Sequence, residues 1–280
     1  MASRTATSPT SSATPNRPTG IRSGRACGLE VPSSWPDGWE GCLGLEPTPD
    51  QYVAHLVEVF RRVRRVLRPD GCLWIQLGDS YVTDPGNGRG GEGNYGLGGG
   101  APHRSAADKT GCGLPAKNLV GVPWRVALAL QAEGWVLRSE CIWEMSNALP
   151  EGARHRPARS HQHVFLLTRS GRYYFDAGTG PALRTVWRIP ATPLRGHYAH
   201  FPPRLAERCA RAGSLEGGVI LDPFCGTGTT LAAARRLGRY AVGCDLNGEY
   251  AEMARPRIWK EGRGPDKAPP RPPGPTRRGG

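Results

Sequence analysis

Lysine is nearly missing from this chain: 4 Lys stand against 33 Arg among its 37 basic residues. Acid is missing altogether from residues 1–26, and the formal charge of the whole chain is +13. A basic balance carried by arginine suits phosphate partners, because the planar guanidinium pairs with two oxygens at once. A GC-rich genome would produce the same excess. No apolar run approaches the ~18 residues that span a bilayer, and the N-terminus lacks the apolar stretch of a secretory signal. No membrane helix is therefore expected. The 8 cysteines include no Cys-x-x-C pair. Cys72, Cys141, Cys225 and Cys244 sit inside apolar runs and read as small core residues. That usage argues against a disulfide framework and a zinc site, and it fits a cytoplasmic protein. His161 and His163 flank Gln162 at a spacing that puts both on one face of a strand, but no third ligand accompanies them, so no metal is expected.

What is present is an ordered body between two polar ends. Residues 1–44 read as a divergent, disordered N-terminal segment, and 261–280 as a disordered Pro/Arg tail. Residues 45–260 read as one domain. Apolar residues at Val53, Leu56, Val57, Phe60, Val63 and Leu67 predict a helix over 49–67. The arginines around its other side read as a solvated face. A strand over 72–77 follows. The loop 84–117 holds eleven glycines and no apolar pattern, which in a compact domain points to function or disorder. Then come a helix over 119–134, a strand over 135–143, and two strands at 163–169 and 172–176 joined by a Ser-Gly turn. Residues 177–199 are irregular. A helix over 201–213 precedes strand, helix, strand and helix at 217–222, 229–238, 240–246 and 248–255. This alternation predicts an α/β fold: a doubly wound, mostly parallel twisted sheet with helices on both faces.

The strongest constellation is VILDPFCGTGTTLAAARRLGRYAVGCDLN, 219–247. A buried strand ends at Asp222, a Gly-x-Gly turn follows at Gly226 and Gly228, and a helix opens at Thr229. A second strand ends at Asp245, 17 residues beyond Gly228. Glycines let backbone approach a ligand, the helix start offers unpaired N–H groups, and the second acid can accept from ribose hydroxyls. A dinucleotide fingerprint would need a third glycine where Leu231 stands, and a phosphate loop would need Gly-Lys-Ser/Thr. Neither is met.

The string LDPFCGTGTT resembles the S-adenosylmethionine-binding motif of the amino-group DNA methyltransferases, which methylate N6 of adenine or N4 of cytosine. HFPPRLAERCARAGS resembles the helix that precedes it in the permuted subgroup, where the catalytic half comes before the cofactor half. GCLWIQLGDSY, GWVLRSECIW and HQHVFLLT resemble that subgroup's segments in order. The resemblance implies a site-specific methyltransferase that uses S-adenosylmethionine and acts on double-stranded DNA, with the Gly-rich loop 84–117 and the DNA-recognition segment 177–199 engaging phosphates and bases. It implies Asp222, Phe224, Gly226, Gly228, Thr229 and Thr230 around the cofactor's methionine and sugar, Asp245 on the ribose, and His200, Phe201 and Pro202 closing over the site.

One family element is not visible. The exocyclic amine is a poor nucleophile, and the family pattern Asp/Asn/Ser-Pro-Pro-Tyr/Phe resembles an answer: a side chain and a carbonyl accept the amine protons while the aromatic stacks on the extruded base. Thr7-Ser8-Pro9-Thr10 begins like it and then departs, with no apolar strand leading in. Trp143-Glu144-Met145-Ser146-Asn147-Ala148 also departs from the family's usual Trp-x-Lys-x-Asn-Pro. The catalytic residues are therefore left unknown, with Asp79, Ser80 and Tyr81 as pocket-lining candidates against the plainer reading of strand-end capping. The alternative to an enzyme is a truncated or mis-started relative that binds cofactor or DNA without transferring a methyl group.

Overall fold

The computed structural model describes residues 35–82, 113–148, 150–151, 154–178, 183–192 and 201–260. The first helix, α1 (Pro49–Val66), starts where the chain supplies a cap: Thr48 accepts from the Gln51 N–H, Pro49 opens the first turn, and Asp50 faces the positive helix end. Its apolar stripe buries Leu56, Val57, Phe60 and Val63. Three of the arginines outside that stripe find partners nearby. Arg61 and Arg62 pair with Glu58, Arg61 also with Glu133, and Arg64 donates to the Gly134 carbonyl.

β1 (Cys72–Leu77), β2 (Val136–Glu144), β3 (His161–Thr168) and β4 (Val186–Arg188) form one sheet in the order β1-β3-β2-β4. β3 runs against both neighbours, while β2 and β4 are parallel. β1, β2 and β4 thus share a direction and β3 alone is reversed. Side chains alternate between the two faces. Ile75, Phe165 and Leu167 meet α1 and α2 (Val122–Ala132) on one face. Trp74, Cys141, Trp143, Val164 and Trp187 meet Leu205 of α3 (Pro203–Gly213) on the other. The expected helices on both faces are present.

A second sheet pairs β5 (Val219–Asp222) with β6 (Tyr240–Gly243) in parallel. α4 (Thr229–Arg236) crosses between them, and α5 (Gly248–Lys260) follows β6. Ion pairing of Arg236 with Glu207 and a hydrogen bond from Arg239 to the Ser214 carbonyl tie this unit to α3. Among the described residues β1, β4, β5 and β6 each keep one edge without a strand partner.

Two expectations are corrected. Residues 172–176 form no strand. Both edges of β3 are already taken, and the Tyr174 and Asp176 N–H groups donate instead to the carbonyls of Asp70 and Ala212. The stretch read as irregular at 177–199 contains the short strand β4, which buries Trp187 and leaves Val186 and Arg188 exposed, with Ile189 buried just beyond it. The glycine-rich loop and both chain ends lie largely outside the described residues. No helix among those described is long and apolar enough to cross a membrane.

Candidate functional site

The site forms where β5 and β6 end. Their register pairs Asp222 with Gly243, so the two following turns lie side by side. The backbone then crosses between them twice: Cys244 N–H donates to the Asp222 carbonyl at 3.0 Å, and Cys225 N–H to the Cys244 carbonyl at 2.9 Å. Gly226 and Gly228 take φ of +48° and +80°, which L side chains rarely adopt. A methyl group on Gly228 would meet Ala254 at 2.9 Å, whereas the space above Gly226 is open. One glycine is needed for helix packing against α5, and the other leaves room for a ligand.

The two acids hold this loop from opposite sides. Phe224 N–H donates to Asp222 Oδ1 at 3.0 Å, and the Thr230 side chain also hydrogen-bonds that carboxylate. Asp245 takes the Gly226 N–H on Oδ2 and the Asn247 N–H on Oδ1, both at 2.8 Å. Each oxygen keeps a further lone pair for a ligand. Burial pushes the Asp222 carboxyl above its usual range, the hydrogen bonds from Thr230 and Phe224 oppose this, and neighbouring Asp245 adds to it. Gly228 caps α4 without any side-chain hydrogen bond, so the helix start remains a donor surface. Two carboxylates repel a pyrophosphate and favour a ligand bearing positive charge. The Cys225 thiol is pushed up to about 12, by burial first and then by both acids and Cys244, so it is no nucleophile at neutral pH.

The structure therefore gathers Asp222, Phe224, Gly226, Gly228, Thr229, Thr230 and Asp245 at one loop. Phe224 is 47% exposed beside it, with its ring edge-on to Phe60 at 6.3 Å. Phe201 and Pro202 stand at the head of α3, with Phe201 packed on the core around Trp187. His200 and Thr7–Thr10 lie outside the described residues. Arg257, which no motif marked, reaches back from α5 to Thr227 Oγ1 at 3.3 Å. It is separated by 30 residues and carried on a helix without a signature.

Asp79 is occupied elsewhere. Its carboxylate accepts from the N–H groups of Gly121 (3.0 Å) and Val122 (3.1 Å), capping α2, whose own N-cap glycine has no side chain to do so. It also accepts from the Ser80 N–H. Tyr81 forms a backbone bridge to Leu119. Asn147 clamps both the N–H and the carbonyl of Ala191. His163 turns to Glu140 at 2.6 Å, and no group of three His, Cys, Asp or Glu among the described residues could hold a metal ion.

The profile of a family described as DNA methylase, of the N6/N4 type, matches residues 40–256. The type II methyltransferase M.SmaI of Serratia marcescens is 41% identical over 241 residues, which cover 78% of this chain and 77% of that protein. A putative DNA modification methylase of Thermus thermophilus, solved with S-adenosyl-L-methionine, is 26% identical with a TM-score of 0.55, over 77% of this chain and 79% of its own. The PvuII cytosine-N4-specific DNA methyltransferase shares the fold, with a TM-score of 0.59 at 18% identity, over 75% of this chain and 71% of its own.

Proposed function

The chain belongs to the N6/N4 DNA methylase family, and on that premise we propose that it is a site-specific DNA methyltransferase moving a methyl group from S-adenosylmethionine to an exocyclic base amine. The observation that carries the cofactor reading is the loop 222–230, held open above Gly226 between two carboxylates. S-adenosylmethionine supplies a methyl group on a positively charged sulfur. Asp222 and Asp245 suit that charge, the amino group and the ribose hydroxyls. The first turn of α4 suits the cofactor's carboxylate. Thr229 and Thr230 add hydroxyls, and the exposed Phe224 offers a ring face to a flat group. His200, Phe201 and Pro202 are proposed to close over it.

In this reading the protein's contribution is positioning. The amine must lie in line with the methyl group, inside a pocket that has taken the base out of the duplex. Asp79 is committed to α2, so it is assigned a scaffolding role beneath that pocket. No described residue is assigned the acceptor of the amine protons. The strand order, with β1 to β3 before β5, supports the permuted arrangement. Incubation with methyl-labelled cofactor and duplex DNA of varied sequence tests the proposal. Label on DNA at one sequence is expected, abolished by Asp222→Ala. Tight cofactor binding with no transfer to any duplex would sink the enzyme reading and leave a binding protein.

A further inference from the structure

Arginine pairs on a protein surface are common, but one pair here is built into the fold. Arg156 lies face-on over the ring of Tyr81, 3.8 Å from its centre, and Arg159 stands 5.8 Å from the same ring. Arg159 also donates to the Asp79 carbonyl, at the carboxyl end of β1. Both guanidinium groups converge on one carboxylate. Glu151 takes Arg156 Nη1 on one oxygen at 2.5 Å and Arg159 Nε on the other at 3.1 Å. The three side chains are 18–30% exposed, so the cluster is half-buried but open at one side. Burial disfavours the charged Glu151, yet the two arginines hold its carboxyl below the usual range.

The cluster carries two positive charges and one negative. A single oxyanion bridging two guanidinium groups is the arrangement by which arginine forks also hold a phosphate. The aromatic floor keeps the cations in place without consuming their in-plane donors. Strand carboxyl ends are where open α/β sheets bind ligands. We infer that Arg156 and Arg159, stacked on Tyr81, form a seat for one backbone phosphodiester of the DNA, and that Glu151 holds this seat in the absence of DNA and yields it when the strand arrives. This rests on the reading that the chain binds DNA, but it requires no methyl transfer.

The test is the salt dependence of binding to a mixed-sequence duplex oligonucleotide, measured on the full chain. Each neutralised phosphate contributes a slope of about 0.9 in log K against log salt. Arg156→Gln combined with Arg159→Gln is expected to lower the slope by about one contact's worth. Glu151→Gln, which keeps shape and removes charge, is expected to tighten binding by about fivefold, the scale of a partly exposed ion pair. Tyr81→Leu should weaken binding while leaving both arginines in the chain. Melting curves and cofactor affinity, unchanged in Glu151→Gln, show that the fold is intact. Wild-type binding with the same slope in the double variant, or weaker binding in Glu151→Gln, overturns the seat and leaves the DNA reading standing. No duplex binding by the wild-type chain overturns both.

Discussion

The two sheets of this molecule are held together by different means. Around the four-stranded sheet, order comes from burial: Val126, Leu130 and Leu167 are fully enclosed, and both faces are covered by helices. Around β5 and β6 the strands are four residues each and Val219 is 55% exposed. There α4 still buries Leu231 and the alanines 232–234, but the loop itself is fixed by hydrogen bonds among Asp222, Asp245, Asn247 and its own backbone. Side-chain packing tolerates little change in shape, whereas a hydrogen-bonded loop can exchange a partner for a ligand. The larger sheet is built to hold a geometry, and the smaller one to offer groups.

Substitutions can break this contrast, and the largest effect belongs to the packed half. Leu130→Ala should cost about 2–5 kcal/mol and lower the melting temperature by roughly 2–4 °C per kcal/mol. Cofactor affinity of the folded fraction, measured by titration calorimetry, should stay as it was. Gly228→Ala comes next. The positive φ and the 2.9 Å approach to Ala254 should cost about 1–3 kcal/mol, and here cofactor affinity should fall with stability. Retained affinity would show that the loop has slack the hydrogen bonds do not suggest.

Asp79→Ala removes a remote helix cap and should cost about 1 kcal/mol in a denaturant titration, with cofactor binding unchanged. Weaker cofactor binding would move Asp79 from scaffold to site. The smallest effect has the opposite sign. Burial raises the Asp222 carboxyl, so the folded state disfavours the charge that the residue carries at neutral pH. This group's contribution to stability falls as pH rises from the unfolded carboxylate range of about 3.9 through its folded value, and returns on acidification. Asp222→Asn should therefore melt no lower than wild type at pH 7 and lose this part of the pH dependence, while binding cofactor more weakly. A lower melting point at neutral pH would contradict it.

Legibility followed sequence distance. The loop 222–230 could be read because all its parts are local: a strand, two glycines and a helix start within nine positions. Helix α1 was plain from its apolar stripe. Asp79 capping α2 was not, since cap and helix are 42 residues apart. The Arg159 contact with the Asp79 carbonyl spans 80. The stretch 172–176 looked like a strand because the consecutive aromatic residues Tyr173, Tyr174 and Phe175 have strand propensity. Propensity says nothing about whether an edge is free, and β3 had none.

The edge of β1 that no described strand pairs with also has a meaning for how the protein behaves in solution. About half of the backbone N–H and C=O groups of β1 point away from β3, and these groups must find partners of some kind. The edge is six residues of CLWIQL, with no lysine, proline or charge to blunt it. Left to water, an edge of this kind is a template for another extended chain. Solubility, and not only catalysis, depends on what lies alongside β1.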